Sequence, residues 1–324
     1  MPTLAGALGR PILLVGGKGG VGKTTVAAGV ALEAAAAGRR TLLVSTDPAH
    51  SAGDALGVSL GPRPTQVEDR LWALELDPES ETDRYMDEVR SRIEEAAPPR
   101  LMNEIESQLE AARGSPGAEE AAVFDRFTRI LDAAEYDRIV FDTAPSGHTL
   151  RLLSLPEAMT GWLDSLVSRR RKLGALGKMW RNVAGEAAGG DAQGGDAVLE
   201  ALEERRDRFK RSRSILVDPQ QTSFVFVTLA ERLPILETHR IMTALAAHAI
   251  PVGGVIVNQV LPAETSDPFL RRRREMEALH LADIRNRFGD WPIGYLPLVD
   301  DDPVGAAGLT GLLGRLRPAQ LEEA

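Results

Sequence analysis

Apolar positions along this chain gather into short, almost unbroken runs, and between those runs they recur at helical spacing. Ile12–Val15 ("ILLV") reads as a buried strand and Thr24–Ala37 as an alanine-rich helix. Gly38 ends that helix, as glycine commonly does just past a C-terminus. Thr41–Ser45, Trp72–Leu76, Arg138–Asp142, Ser223–Thr228, Gly254–Asn258 and Trp291–Leu296 supply the remaining strand candidates. Runs without polar alternation fit strands covered on both faces. Strands alternating with helices predict an α/β fold built on a doubly wound, mostly parallel sheet.

Two stretches depart from the alternation. Residues 77–135 read as helices broken by "RGSPGAEE", and residues 155–213 as helices around the low-complexity run "AGEAAGGDAQGGDA". The expectation is one domain over residues 1–324, with the insertions 77–135 and 155–213 forming a helical subdomain. Ser154 and Glu157 frame a capping box with Pro156 at an early helical position. Leu155, Met159, Trp162, Leu163, Leu166 and Val167 follow at helical spacing, and Leu173, Leu176, Met179, Trp180 and Val183 continue apolar beyond them. Such a stripe either packs as core or lines a groove for an apolar helix, and both readings stay open.

The chain has 324 residues, enough to bury a sizeable core, and a formal net charge of -9. That acidic balance argues against a nucleic-acid surface. The basic runs Arg169–Lys172 and Arg271–Arg274 read as solvated helix faces. There is no cysteine, which excludes disulfides, thiolate metal sites and cysteine nucleophiles. The start "MPTLAGALGR" lacks a secretory pattern, and no apolar run reaches the roughly eighteen residues of a membrane span. A soluble, cytoplasmic protein is expected.

The densest chemical signal is "GGKGGVGKTT", residues 16–25. Gly17 to Thr24 satisfy G-x-x-x-x-G-K-[ST] in full, between a strand and a helix, which predicts a phosphate-binding loop of the P-loop NTPase type. Gly17, Gly19, Gly20 and Gly22 let the backbone around Lys18 and Val21 turn its N–H groups inward, and the helix start adds a positive end. Lys23 reaches the β- and γ-phosphates of ATP, the Thr24 hydroxyl binds Mg²⁺, and Thr25 continues the cradle. Asp47 in "STDPAHS" and Asp142 in "DTAPSGHTLRLL" fall at carboxyl ends of strands, where ligands sit in open α/β sheets. Asp142 is placed to hold the Mg²⁺ through water, and Asp47 to orient the attacking water. For either aspartate alone, helix capping is the competing reading. His50 and His148 lie in the same stretches but lack neighbours at metal-ligand spacing, so they read as hydrogen-bonding residues.

Lys18 is surplus to the loop pattern. The form K-G-G-V-G-K-T resembles the deviant loop of dimeric ATPases such as MinD, ParA and the nitrogenase iron protein, which implies that Lys18 crosses to the partner's phosphates and acts catalytically with Lys23 and Asp47. "DPAHS" and "DTAPSGHTLR", with "ELDPE" (75–79), "AERLPILET" (230–238) and "GVIVNQVLP" (254–262), resemble the ArsA–Get family over most of the chain. That family holds arsenite-pump ATPases and the ATPases that target tail-anchored membrane proteins. The resemblance implies switches beginning near Asp47 and Asp142, an adenine-reading Asn258, and Glu231 near the nucleotide. It also implies a nucleotide-dependent homodimer.

The chain departs from the family in three ways. It has one loop and no cysteine, so a thiol arsenite site and a zinc-clasped dimer are both excluded, and "SDPFLRRRREM" (266–276) offers arginines instead. Ser51 and Ser146 stand where the targeting factors often carry asparagine and threonine. The expected function is a chaperone-like ATPase that binds hydrophobic segments of client membrane proteins and meets membranes only through a client or partner. A transport-energising subunit is the alternative. A ParA- or MinD-like positioning role would need DNA or membrane binding, which the charge and the tail do not support.

Overall fold

Aliphatic runs pair side by side into a nine-stranded sheet: β1 (Ile12–Gly16), β2 (Thr41–Ser45), β3 (Thr65–Glu68), β4 (Leu71–Glu75), β5 (Arg138–Asp142), β6 (Thr222–Leu229), β7 (Val252–Val260), β8 (Ile293–Pro297) and β9 (Arg317–Pro318). The computed structural model describes residues 3–47, 51–96, 118–133, 135–143, 192–262 and 266–318, with the pairs 106–107, 110–111 and 113–114. Strand order is β3-β4-β2-β5-β1-β6-β7-β8-β9. Every pairing is parallel except the two outermost, β3 with β4 and β8 with β9. The central strands β1, β2 and β5 are buried at every position, as their unbroken apolar patterns require.

In chain order the helices are α1 (Leu4–Leu8), α2 (Lys23–Ala36), α3 (Ser51–Leu56), α4 (Pro78–Ala96), α5 (Ala118–Asp132), α6 (Ala192–Val217), α7 (Arg232–Ala247), α8 (Pro268–Phe288) and α9 (Gly305–Leu313). The chain divides into two compact units. One comprises Met1–Asp77, Ala134–Leu150 and Ile215–Ala324, and the other Pro78–Ala133 and Arg151–Ser214.

In the sheet unit, α2 is buried along most of its length, its alanines admitting close neighbours. Leu309, Leu312 and Leu313 of α9 join the same core. Asp267 caps α8 by accepting the N–H groups of Phe269 and Leu270, with Pro268 opening the helix. Arg271, Arg272 and Arg273 lie exposed on α8. No helix among the described residues is long and apolar enough to cross a membrane.

The helical unit is built differently. Phe124 and Phe127 of α5 and Phe209 of α6 are buried together, Phe124 and Phe209 with ring centroids 5.0 Å apart. Around them run ion pairs. Asp125 faces Arg129 and Arg208 at 2.7 Å and Arg205 at 3.3 Å. Glu81 on α4, also buried, pairs with Arg84 at 2.5 Å, while Glu88 pairs with Arg84 at 2.7 Å and with Arg129. The expected stripe from Leu155 to Val183 and its capping box lie outside the described residues.

Candidate nucleotide site

The loop between β1 and α2 is held open by backbone geometry that only glycine allows. Gly17 has φ +147, and a Cβ there would stand 2.2 Å from the Val227 carbonyl oxygen of β6. Gly22, φ +92, would bring a Cβ within 2.3 Å of the Asn258 amide nitrogen. That nitrogen donates to the Val21 carbonyl at 2.9 Å, so the end of β7 is pinned against the loop. Asn258 is buried, and Gln259 after it takes φ +58 where the β7–β8 register shifts. Positive φ at a non-glycine residue is uncommon, and here it falls on the rim of the cleft.

Lys23 is buried at the start of α2, and its Nζ donates to the Lys18 carbonyl at 3.3 Å, curling back across the loop. Thr24 follows. Its Oγ1 donates to Asp142 Oδ2 at 2.6 Å and lies 2.9 Å from Ser51 Oγ. The carboxyl ends of β1, β2 and β5 are laced together beneath this pair. Thr46 N–H donates to the Asp142 carbonyl at 2.9 Å, and the Thr143 hydroxyl donates to the Val15 carbonyl at 2.9 Å.

Asp142 is fully buried, and its Oδ1 has no hydrogen-bond partner among the described residues. Burial pushes its carboxyl up to about 6, against the hydrogen bonds of Thr24 and Ser45 and the Lys23 charge; the nearby Asp47 charge pushes the same way as burial. A buried carboxylate oxygen beside a threonine hydroxyl is the oxygen-donor chemistry that a hard divalent cation takes. The residues present therefore fit Mg²⁺.

A cleft of about 430 Å³ opens over the loop. Gly20, Gly22, Lys23, Thr24, Thr25, Asp47 and Ser51 line one part, and Asn258, Gln259, Pro297 to Val299, Asp301 to Pro303 and Leu312 line the rest. The expected residues Gly17, Gly19 and Val21 shape the loop without lining the cleft, and Lys18, half-buried near the start of the loop, does not line it either. Glu231 is not brought in. It stands exposed at the start of α7, 3.8 Å from Arg273. His50, His148, Ser146 and the stretch from residue 144 onward lie outside the described residues.

Sequence reasoning missed Ser51 as a contact of Thr24, and it missed the whole wall after β8. The signal available for that wall was "LPLVDDDP" at the carboxyl end of a parallel strand, where open α/β sheets bind ligands.

Strand, glycine loop, helix and a cleft at the strand ends define a phosphate-loop nucleotide-binding domain. The sequence matches the family described as anion-transporting ATPase, ArsA type, over residues 10–317. It is 34% identical over 296 residues to "Putative arsenical pump-driving ATPase 2" of Aquifex aeolicus, covering 91% of this chain and 95% of that one. It is 32% identical to "ATPase ASNA1 homolog 1" of Paramecium tetraurelia, over 95% of this chain and 93% of the other, and 35% identical to "ATPase GET3A" of Arabidopsis thaliana, over 92% and 81%. The chain belongs to the ArsA ATPase family and is an ATP-hydrolysing enzyme.

Proposed function

We propose that the chain is a Mg²⁺-dependent ATPase whose hydrolysis drives the opening and closing of a homodimer, and that it serves as a chaperone-like factor for hydrophobic segments of client membrane proteins. The observation that carries the catalytic part is the Thr24–Asp142 pair, with its unpartnered buried oxygen, behind the cleft that Asp47 also lines.

In this reading the loop amides and Lys23 hold the phosphates of ATP, and Asn258 meets the adenine. Thr24 and Asp142 would hold Mg²⁺, which when bound neutralises phosphate charge. Asp47 orients the attacking water. Lys18, at the opening of the loop, supplies positive charge to the partner's site, as an arginine finger does elsewhere. Glu231, which the family resemblance puts near the nucleotide, is not among the residues that line the cleft. The proposed setting is the cytoplasm, with no nucleic-acid partner, no zinc, and membrane contact only through a client or partner.

The client reading is supported by relatives named GET3A and ASNA1 homolog. A pump-energising role is favoured by the Aquifex relative's name, but the absence of cysteine leaves such a role without thiolate ligands. Two experiments test the proposal. Lys18→Ala mixed with Asp47→Asn should recover activity through composite sites, and mixed dimers without recovery would place Lys18 in its own subunit. Protein trapped with ATP should capture a labelled transmembrane-segment peptide. Failure to bind it in any nucleotide state would remove the client role.

A further inference from the structure

We propose that Glu75 is a positioning residue for the Thr24–Asp142 pair, acting through α3 and Ser51. The proposal rests on the reading of that pair as the Mg²⁺ site. Glu75 ends β4 and is paired in register with Ser45, so it stands at the carboxyl edge of the sheet, next to the strand that leads into Asp47. Its side chain is buried, with the residue only 5% exposed. A carboxylate kept from water needs donors, and one is clear: Glu75 Oε1 accepts the Gly53 N–H at 2.8 Å.

Gly53 is the third described residue of α3, so this bond joins the helix directly to the carboxyl end of β4. The carboxylate therefore ties α3 to the end of β4 two residues from Ser51. The Thr24 hydroxyl has one proton, which goes to Asp142, so in the 2.9 Å contact Ser51 must donate and Thr24 accept. The chain of donors runs Ser51 to Thr24 to Asp142, and Glu75 holds its outer end.

The test is the Mg²⁺ concentration that half-saturates binding of a fluorescent ATP analogue, read beside the melting temperature of the nucleotide-free protein. Glu75→Ala should raise that concentration about tenfold, the lower end for residues that support metal ligands. Ser51→Ala should raise it comparably, and the double variant should be no worse than the larger single, because both break one chain. Glu75→Gln keeps a carbonyl oxygen for the Gly53 N–H and should restore most of the loss.

An unchanged Mg²⁺ requirement in Glu75→Ala, or a loss that simply adds to that of Ser51→Ala, overturns the proposal. Should Glu75→Ala not fold, Glu75→Asp, one methylene short of Gly53, carries the same cycle. Asp142→Asn run in parallel separates the two levels. If it leaves the Mg²⁺ requirement unchanged, the metal reading itself falls. If it raises the requirement and Glu75→Ala does not, only the role of Glu75 falls.

Discussion

Asp142 in the sheet unit and Asp125 in the helical unit are 0% and 1% exposed, yet their carboxyls move in opposite directions. Burial acts most on both and favours the neutral form. At Asp142 it prevails, since the hydroxyls of Thr24 and Ser45 and the charge of Lys23 only partly oppose it. At Asp125 it is outweighed by Arg205, Arg208 and Arg129, which hold the carboxyl below its ordinary range. One unit keeps a buried acid short of partners, where a ligand can complete it. The other surrounds its buried acid with cations and uses the cluster to hold helices in register. A buried charge can thus be a reserve for binding or a fastening.

The largest effect that would sharpen this contrast is catalytic. Asp47→Asn should cut phosphate release by about 10²–10⁴-fold while ATP binding and melting temperature stay near parental. Turnover at the parent rate would remove Asp47 from the reaction. Next comes Asp125→Ala, which removes the carboxylate shared by Arg205, Arg208 and Arg129, leaving Arg129 its pair with Glu88, and should cost the helical unit about 3–5 kcal/mol. Denaturant melts and hydrogen exchange over α4 and α5 measure it, and a loss under about 1 kcal/mol would break the comparison.

Third, Asp142→Asn should stabilise the nucleotide-free protein at pH 8. The folded carboxyl is raised from 3.8 to about 6, so its contribution to stability is whole below 3.8 and is lost as pH rises through about 6. At about 1.36 kcal/mol per pH unit this amounts to roughly 3 kcal/mol at most, vanishing near pH 4. The sign is opposite for Asp125. Its carboxyl is lowered, so its contribution is present above 3.8 and lost as pH falls below that. The smallest effect belongs to the rim. Arg211 meets Asp132 through two bonds of 2.9 and 2.8 Å, but both side chains are substantially exposed, so Arg211→Ala should cost under about 1 kcal/mol and less in high salt.

What the sequence made legible follows the same division. The central strands could be read because burial on both faces leaves an apolar run that needs no knowledge of the partner strand. β3, with "TQVE" almost wholly exposed, is a strand only because β4 pairs with it, and two-residue β9 depends likewise on β8. The loop, Lys23, Thr24, Asp47, Asp142 and Asn258 were visible as local motifs. Ser51 was seen only as a substitution, because its contact with Thr24 needs α3 to fold back. Gln259 and Asp301 to Pro303 share the cleft because β7 and β8 are neighbours in the sheet, which chain order does not declare. Nor does anything in "ERRDRFKR" mark Arg205 and Arg208 as facing Asp125.

The two outermost strands also bear on how copies of this chain can meet. β3 runs antiparallel with a register irregularity, and β9 is an Arg-Pro pair whose proline has no N–H to donate. Short, bulged or proline-bearing edges are poor templates for another chain's backbone. Continuous ladders between molecules, and the fibrillar growth that follows from them, are opposed at both ends of the sheet. Copies that associate are thereby steered away from backbone ladders and toward side chains on helices and loops.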